Sequence, residues 1–258
     1  MNEPSKKQNK KRYPLIDAVR GLCITGMIAY HTLFDLASVF GSAPEALSSS
    51  VPLSLIRDFG AGLFIFISGI CFHFSGHHLK RFVLLFICGL AVGLVSYLVT
   101  PETTVIFGIL TFMSVSGMLL FAADGLLSRL PPKSFCVMNL LLYLLFARMN
   151  FGYSGTYSRV FFYMPRVLYK NYVTAFFGFP FEGFTSGDYF PLFPWFFVCL
   201  SGYFFYYAVK NSEKIKRLAT VRVPFFPFVG RHSLIIYIAH QPIIYGVVRL
   251  IAAAEGGG

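Results

Sequence analysis

Seven long apolar runs constrain this chain of 258 residues more than any other feature of its sequence. The hydrocarbon core of a bilayer is about 30 Å thick and takes roughly 20 mainly apolar residues as a helix, the form that satisfies its own backbone groups there. Runs of that kind fall at Leu15–Phe40, Leu53–Ser75, Phe82–Thr100, Thr104–Ala123, Ser134–Met149, Phe190–Val209 and His232–Ala253. They predict an all-α polytopic integral membrane helix bundle of about seven transmembrane helices, the fifth being the shortest. Only 13% of the residues are charged, against about 25% in an ordinary soluble domain. A disordered chain and a water-soluble enzyme are thereby excluded. Residues 1–14 read as a basic cytoplasmic tail, 15–253 as a single transmembrane domain and 254–258 as a C-terminal tail.

The net charge of +11 does not signal nucleic-acid binding, because the basic residues sit in short clusters between apolar runs. Five are in the tail segment SKKQNKKR, and further clusters fall at Lys80–Arg81, Arg129 with Lys133, and Lys210–Arg222, in alternate loops. The loops Gly41–Pro52 and Pro101–Thr103 have none. By the positive-inside rule the N-terminus lies in the cytoplasm, and seven spans would put the C-terminus outside, in a multi-pass protein of the cell membrane. The outward loop Asn150–Tyr189 includes a partly apolar stretch, Arg159–Pro180. Its Arg159, Arg166 and Lys170 make it an interfacial or re-entrant segment rather than an eighth span. The first run is too long and too polar to be a cleavable signal peptide. The five cysteines lie in or beside apolar runs without CxxC spacing, as packing residues rather than disulfide or zinc ligands.

Ionisable residues inside a span are functional candidates by default, and the first span carries the densest set. In IDAVRGLCITGMIAYHTLFDL, Asp17 and Arg20 are one turn apart and can pair. His31 follows Arg20 by eleven positions, about three turns and about 16 Å along one face. Asp35, four residues on, is placed to accept a proton from one imidazole nitrogen and leave the other as a base. It could instead pair with Arg57. Further candidates for a substrate site are Arg57 and Asp58 at the start of the second span, also readable as a helix cap, and Asp188 ahead of YFPLFPWF. His240 and Gln241 in the last span serve either a packing hydrogen bond or a site. His73, His77 and His78 read as a solvated loop, with an anionic ligand from the cytoplasm as the alternative.

The motifs IDAVRGLCITGMIAYHTLFDL, GLFIFISGICF, FGILTFMSVSGMLL, GFTSGDYFPLFPWF and GRHSLIIYIAHQPIIYG, in this order, cover most of the chain. With them it resembles bacterial membrane proteins related to the catalytic domain of heparan-α-glucosaminide N-acetyltransferase. More distantly, it is similar to type 3 membrane acyltransferases. That resemblance implies a basic residue and a His separated by ten positions, met here by Arg20 and His31. It also implies acetyl-CoA as cytoplasmic co-substrate, with Arg20 on its phosphates and His31 as general base or transient acyl carrier. Asp17 would support Arg20, and Asp35 would orient His31. Tyr30, Ser68 and Gln241 are candidate oxyanion donors. The implied partners are the lipid bilayer, an acyl-CoA donor and a glycan or small-molecule acceptor bearing an amine or hydroxyl, with no metal. Two other classes fit the same polar stripe: a small-molecule transporter or flippase, and a non-catalytic membrane scaffold.

Overall fold

The computed structural model describes residues 13–40, 50–156, 158–221 and 223–255. The basic tail through residue 12, most of the Gly41–Pro52 loop and the last three residues lie outside the described residues. Among the described residues there are ten α-helices: α1 (Pro14–Phe40), α2 (Val51–Phe72), α3 (His78–Val99), α4 (Ile109–Leu127), α5 (Pro132–Phe146), α6 (Tyr172–Phe177), α7 (Leu192–Val209), α8 (Glu213–Ala219), α9 (Phe226–Arg231) and α10 (Ser233–Glu255). Six of them are long and apolar enough to cross a membrane: α2, α3, α4, α5 with its extension to Phe151, α7 and α10. The 27-residue α1 is the longest. It packs along α2, α9 and α10 as the seventh long member of the bundle. The all-α membrane bundle expected from the apolar runs is therefore the observed architecture.

Lipid tails are as apolar as leucine, so close backbone approach and interhelical hydrogen bonds hold such a bundle together. The α2–α7 crossing shows both. Gly69 and Gly202 face each other's helices so closely that a Cβ on Gly202 would stand 1.9 Å from the Phe66 carbonyl oxygen. A Cβ on Gly69 would stand 2.1 Å from that of Cys199. On its other side α7 meets α5, where Ser201 Oγ donates to the Cys136 carbonyl at 2.9 Å. Ser114 of α4 donates to the Phe82 carbonyl of α3 at 2.7 Å. Tyr203, Phe204, Ile65 and Leu120 are fully buried around α7, whereas Phe59, Leu98, Leu126 and Ile235 point outward, as lipid-facing side chains do. All five cysteines are free, and Cys136 and Cys199 are buried in this packing.

The stretch 159–180 forms no eighth long helix. It contributes the second strand of a hairpin, Tyr153–Gly155 paired antiparallel with Val160–Tyr163, and the two-turn α6. Asn171 caps α6 by accepting the Thr174 amide at 3.1 Å, and Gly178 ends it at φ 109°. His73 is not in a solvated loop. It stacks on Tyr206 with ring centroids 4.1 Å apart, beside Tyr203 and Tyr207, with Nε2 3.2 Å from the Tyr203 carbonyl. Burial there pushes its imidazole pKa down to about 4.

Candidate active site

The 3.6-residue period of α1 brings Arg20, Cys23, Met27, Tyr30 and His31 to one wall of a cavity of about 810 Å³. Side chains of α2, α3, α4, α5, α7 and α10 also line it, Leu63, Met113, Tyr143, Trp195 and Tyr237 among them. Arg20, Arg81 and Ser233 line one end; Arg57, Asp58, Arg148 and Asp188 line the other. His31 lies between them.

At the first end, Arg20 does not pair with Asp17. Its Nη2 donates to Ser233 Oγ at 2.7 Å, and its guanidinium lies 5.8 Å from the Phe64 ring centroid. The Asp17 turn is taken up by the close crossing of α1 over α9, where a Cβ on Gly230 would fall 1.8 Å from the Asp17 carbonyl oxygen. Arg20 reaches across to α10 instead. Asp17 is thus not part of the cavity wall. Arg81 joins Arg20 there, a residue that reads as a loop cation in the sequence. Because α3 starts at His78, Arg81 falls on its first turn and turns inward. Among the described residues its guanidinium makes no hydrogen bond or ion pair, so this end of the cavity presents two guanidinium groups without a carboxylate partner.

Around His31 the partners differ from those expected. Asp35 is buried, and its carboxylate is held by Gln241, whose Nε2 donates to Oδ2 at 3.1 Å. No His31–Asp35 hydrogen bond forms, and Asp35 does not meet Arg57. The α1–α10 contact accounts for this: it sets Gln241 opposite Asp35, and a carboxylate takes an amide donor at hand rather than a ring one turn away. The ring facing His31 is that of His240, 5.2 Å between centroids. The Nδ1 of His240 is 2.5 Å from the Tyr237 carbonyl oxygen, so Nδ1 carries the proton. Asp35, His240 and Gln241 do not line the cavity; they form a layer behind His31. Of the candidate oxyanion donors only Tyr30 lines it. Ser68 lies at a separate, small recess, and Gln241 is occupied with Asp35.

At the second end Arg57 and Asp58 hold one another, with Nη2 to Oδ1 at 2.9 Å, and Arg57 Nη1 is 3.5 Å from the Tyr30 hydroxyl. Asp188 has a role that no local pattern announces. Its Oδ2 accepts the Ile109 amide at 3.1 Å, capping the N-terminus of α4 from a distant loop, where a carboxylate also suits the helix dipole. The same oxygen accepts the Tyr237 hydroxyl at 2.7 Å. A Cβ on Gly108 would stand 3.0 Å from it, which keeps a side chain out of the helix start. Phe107, before it, takes φ 57°, a left-handed conformation that costs a non-glycine residue about 1 kcal/mol or more. Its carbonyl accepts the Phe190 amide at 2.9 Å. Among the described residues, no three His, Cys, Asp or Glu side chains gather at a metal-binding spacing.

Cations at one end, an imidazole midway and a mixed polar vestibule at the other end share one cavity of a polytopic membrane protein. Over residues 12–242 the chain matches the family model described as heparan-alpha-glucosaminide N-acetyltransferase, catalytic. It belongs to that family. None of the curated proteins and none of the solved structures compared with it matches.

Proposed function

We propose that this protein transfers an acetyl group across the membrane, from acetyl-CoA bound at the Arg20–Arg81 end to an amine or hydroxyl acceptor, of the sugar kind, entering at the Arg57–Asp58 end. The observation that carries this reading is one continuous cavity lined by both ends and by His31. The positions of the basic loops support an orientation with the Arg20–Arg81 end at the cytoplasm and the hairpin end outside, in the cell membrane. The exposed Val160–Tyr163 strand suits the interface there.

The residues present fit the co-substrate. Arg20 and Arg81 bind phosphate oxygens with planar, charge-assisted hydrogen bonds. The apolar wall of Met27, Leu63 and Met113 accepts the pantetheine arm, and the thioester reaches His31. There His31 takes the proton from the acceptor as its nitrogen or oxygen bonds to the acetyl carbon. The carbon–sulfur bond breaks, and the thiolate leaves as CoA-SH with that proton. In the variant with an acyl-His intermediate, His31 itself attacks first. Tyr30, on the same wall, is the donor this reading gives to the developing oxyanion.

The test is CoA binding by calorimetry in lipid nanodiscs, together with transfer of radiolabel from acetyl-CoA to glucosamine. Saturable CoA binding and a loss of about 10²–10⁴-fold in transfer in His31→Ala are expected. Undiminished transfer in His31→Ala would eliminate the role of His31. A transporter or scaffold using the same polar stripe would leave CoA unbound.

A further inference from the structure

The imidazole of His240, buried beside the site, has one nitrogen without a hydrogen-bond partner. It is 8% exposed. Its Nδ1–H is committed to the Tyr237 carbonyl oxygen, and its Nε2 is buried with no hydrogen-bond partner. A neutral imidazole with its proton fixed on Nδ1 carries the lone pair on Nε2. An unmatched acceptor of that kind costs about 1–3 kcal/mol unless a donor comes to it. The nearest ring able to donate is His31. The two ring centroids are 5.2 Å apart with the planes tilted by 57°, and no hydrogen bond joins them in this arrangement; a side-chain rotation of His31 is what brings one of its nitrogens into range of the orphan Nε2.

We propose that His240 is the positioning residue of His31: its Nε2 accepts the N–H of His31, fixing the tautomer and leaving the other His31 nitrogen free toward the cavity. This inference rests on the acyl-transfer reading and gives His240 the orienting role that Asp35 does not fill. During transfer the acceptor's proton moves to the cavity-facing nitrogen of His31 and then leaves with the CoA thiolate. The opposite N–H stays on His31 throughout, and its bond to His240 strengthens while His31 is cationic. The carbonyl of Tyr237 holds His240, and the hydroxyl of Tyr237 is bonded to Asp188. One residue of α10 thereby links this pair to the capped end of α4.

Two variants of similar shape separate positioning from packing. Gln places an amide group where Nε2 stands and can offer Oε1 as acceptor, whereas Phe fills the space with no acceptor. The expected result is that His240→Phe lowers kcat for acetyl transfer roughly ten- to a hundred-fold, with KM for acetyl-CoA within about two-fold, and that His240→Gln recovers most of the loss. Solid-state NMR of ¹⁵N-histidine-labelled protein in lipid bilayers reads the ring nitrogens without any substrate. It is expected to show His240 protonated on Nδ1 and a His31 signal that shifts in His240→Phe. A proton on Nε2 of His240, a His31 signal indifferent to residue 240, or Phe as active as Gln overturns the proposal. If the wild type transfers no acetyl group, the acyl-transfer reading fails, and the ring-nitrogen signals still decide whether the two imidazoles are bonded.

Discussion

Gly202→Ala gives the clearest measure of how the bundle holds its cavity. The added Cβ would sit 1.9 Å from the Phe66 carbonyl oxygen, whereas a carbon–oxygen contact settles near 3.3 Å. About 1.4 Å of clearance is therefore needed between α2 and α7. The obstacle is backbone on a helix, and no flexible side chain can swing away. Nor does the helix have room to slide, since Gly69 makes the reciprocal contact on Cys199. The cost belongs at the upper end of the overpacking range, about 3 kcal/mol, which for a chain of this size corresponds to a melting point lowered by about 6–12 °C. Because α2 and α7 both line the cavity, through Phe64 and Trp195, a shift near 1 Å is also expected to slow transfer by roughly 10²-fold. Thermal unfolding in nanodiscs, followed by tryptophan fluorescence, measures the first effect. Gly125→Ala is the control: its Cβ meets nothing within 4 Å, and stability is expected to hold or rise by up to about 1 kcal/mol. A Gly202→Ala protein that melts with the wild type would refute the reasoning that this crossing is backbone-limited.

The remaining expectations concern single groups. Arg81→Gln is expected to weaken CoA binding about ten-fold or more by calorimetry while leaving S-acetylpantetheine, which lacks the diphosphate, within about two-fold. Asp188→Ala strips partners from both the Ile109 amide and the Tyr237 hydroxyl, so it is expected to cost about 2 kcal/mol by chemical or thermal unfolding; Tyr237→Phe, losing one bond, is expected to cost about 1 kcal/mol. For His73, burial holds the folded pKa near about 4, below the ordinary 6.5. The unfolded chain therefore takes up the proton first on acidification. Stability that is full above pH 6.5 falls as the pH drops toward about 4, so the wild-type melting point is expected to drop more over that window than that of His73→Phe.

The long helices were legible because a bilayer imposes a length and an apolarity that a sequence must display. The shared face of Arg20 and His31 followed from their spacing alone, and both line the cavity. Partners were less legible. Asp35 could be seen to need a donor, but whether that donor was His31, Arg57 or Gln241 depended on how α1 packs against α10, which no local pattern encodes. Arg81 was hidden by its neighbours: Lys80 and the flanking histidines look like a loop, and only the early start of α3 turns its guanidinium inward. The capping of α4 by Asp188 joins residues 79 positions apart. In a helix apolar on all sides, periodicity also says little about which face turns inward, so the partners of α4 and α7 could not be read from their residues.

The central claim is that one cavity joins a cytoplasmic CoA site to an outward acceptor site through His31. Sealed proteoliposomes of uniform orientation test it most directly, with radiolabelled acetyl-CoA supplied only at the Arg20–Arg81 face and glucosamine only at the other. The account predicts N-acetylglucosamine on the glucosamine side, lost in His31→Ala while CoA still binds. Product confined to the side of the donor, or formed equally well without His31, would contradict it.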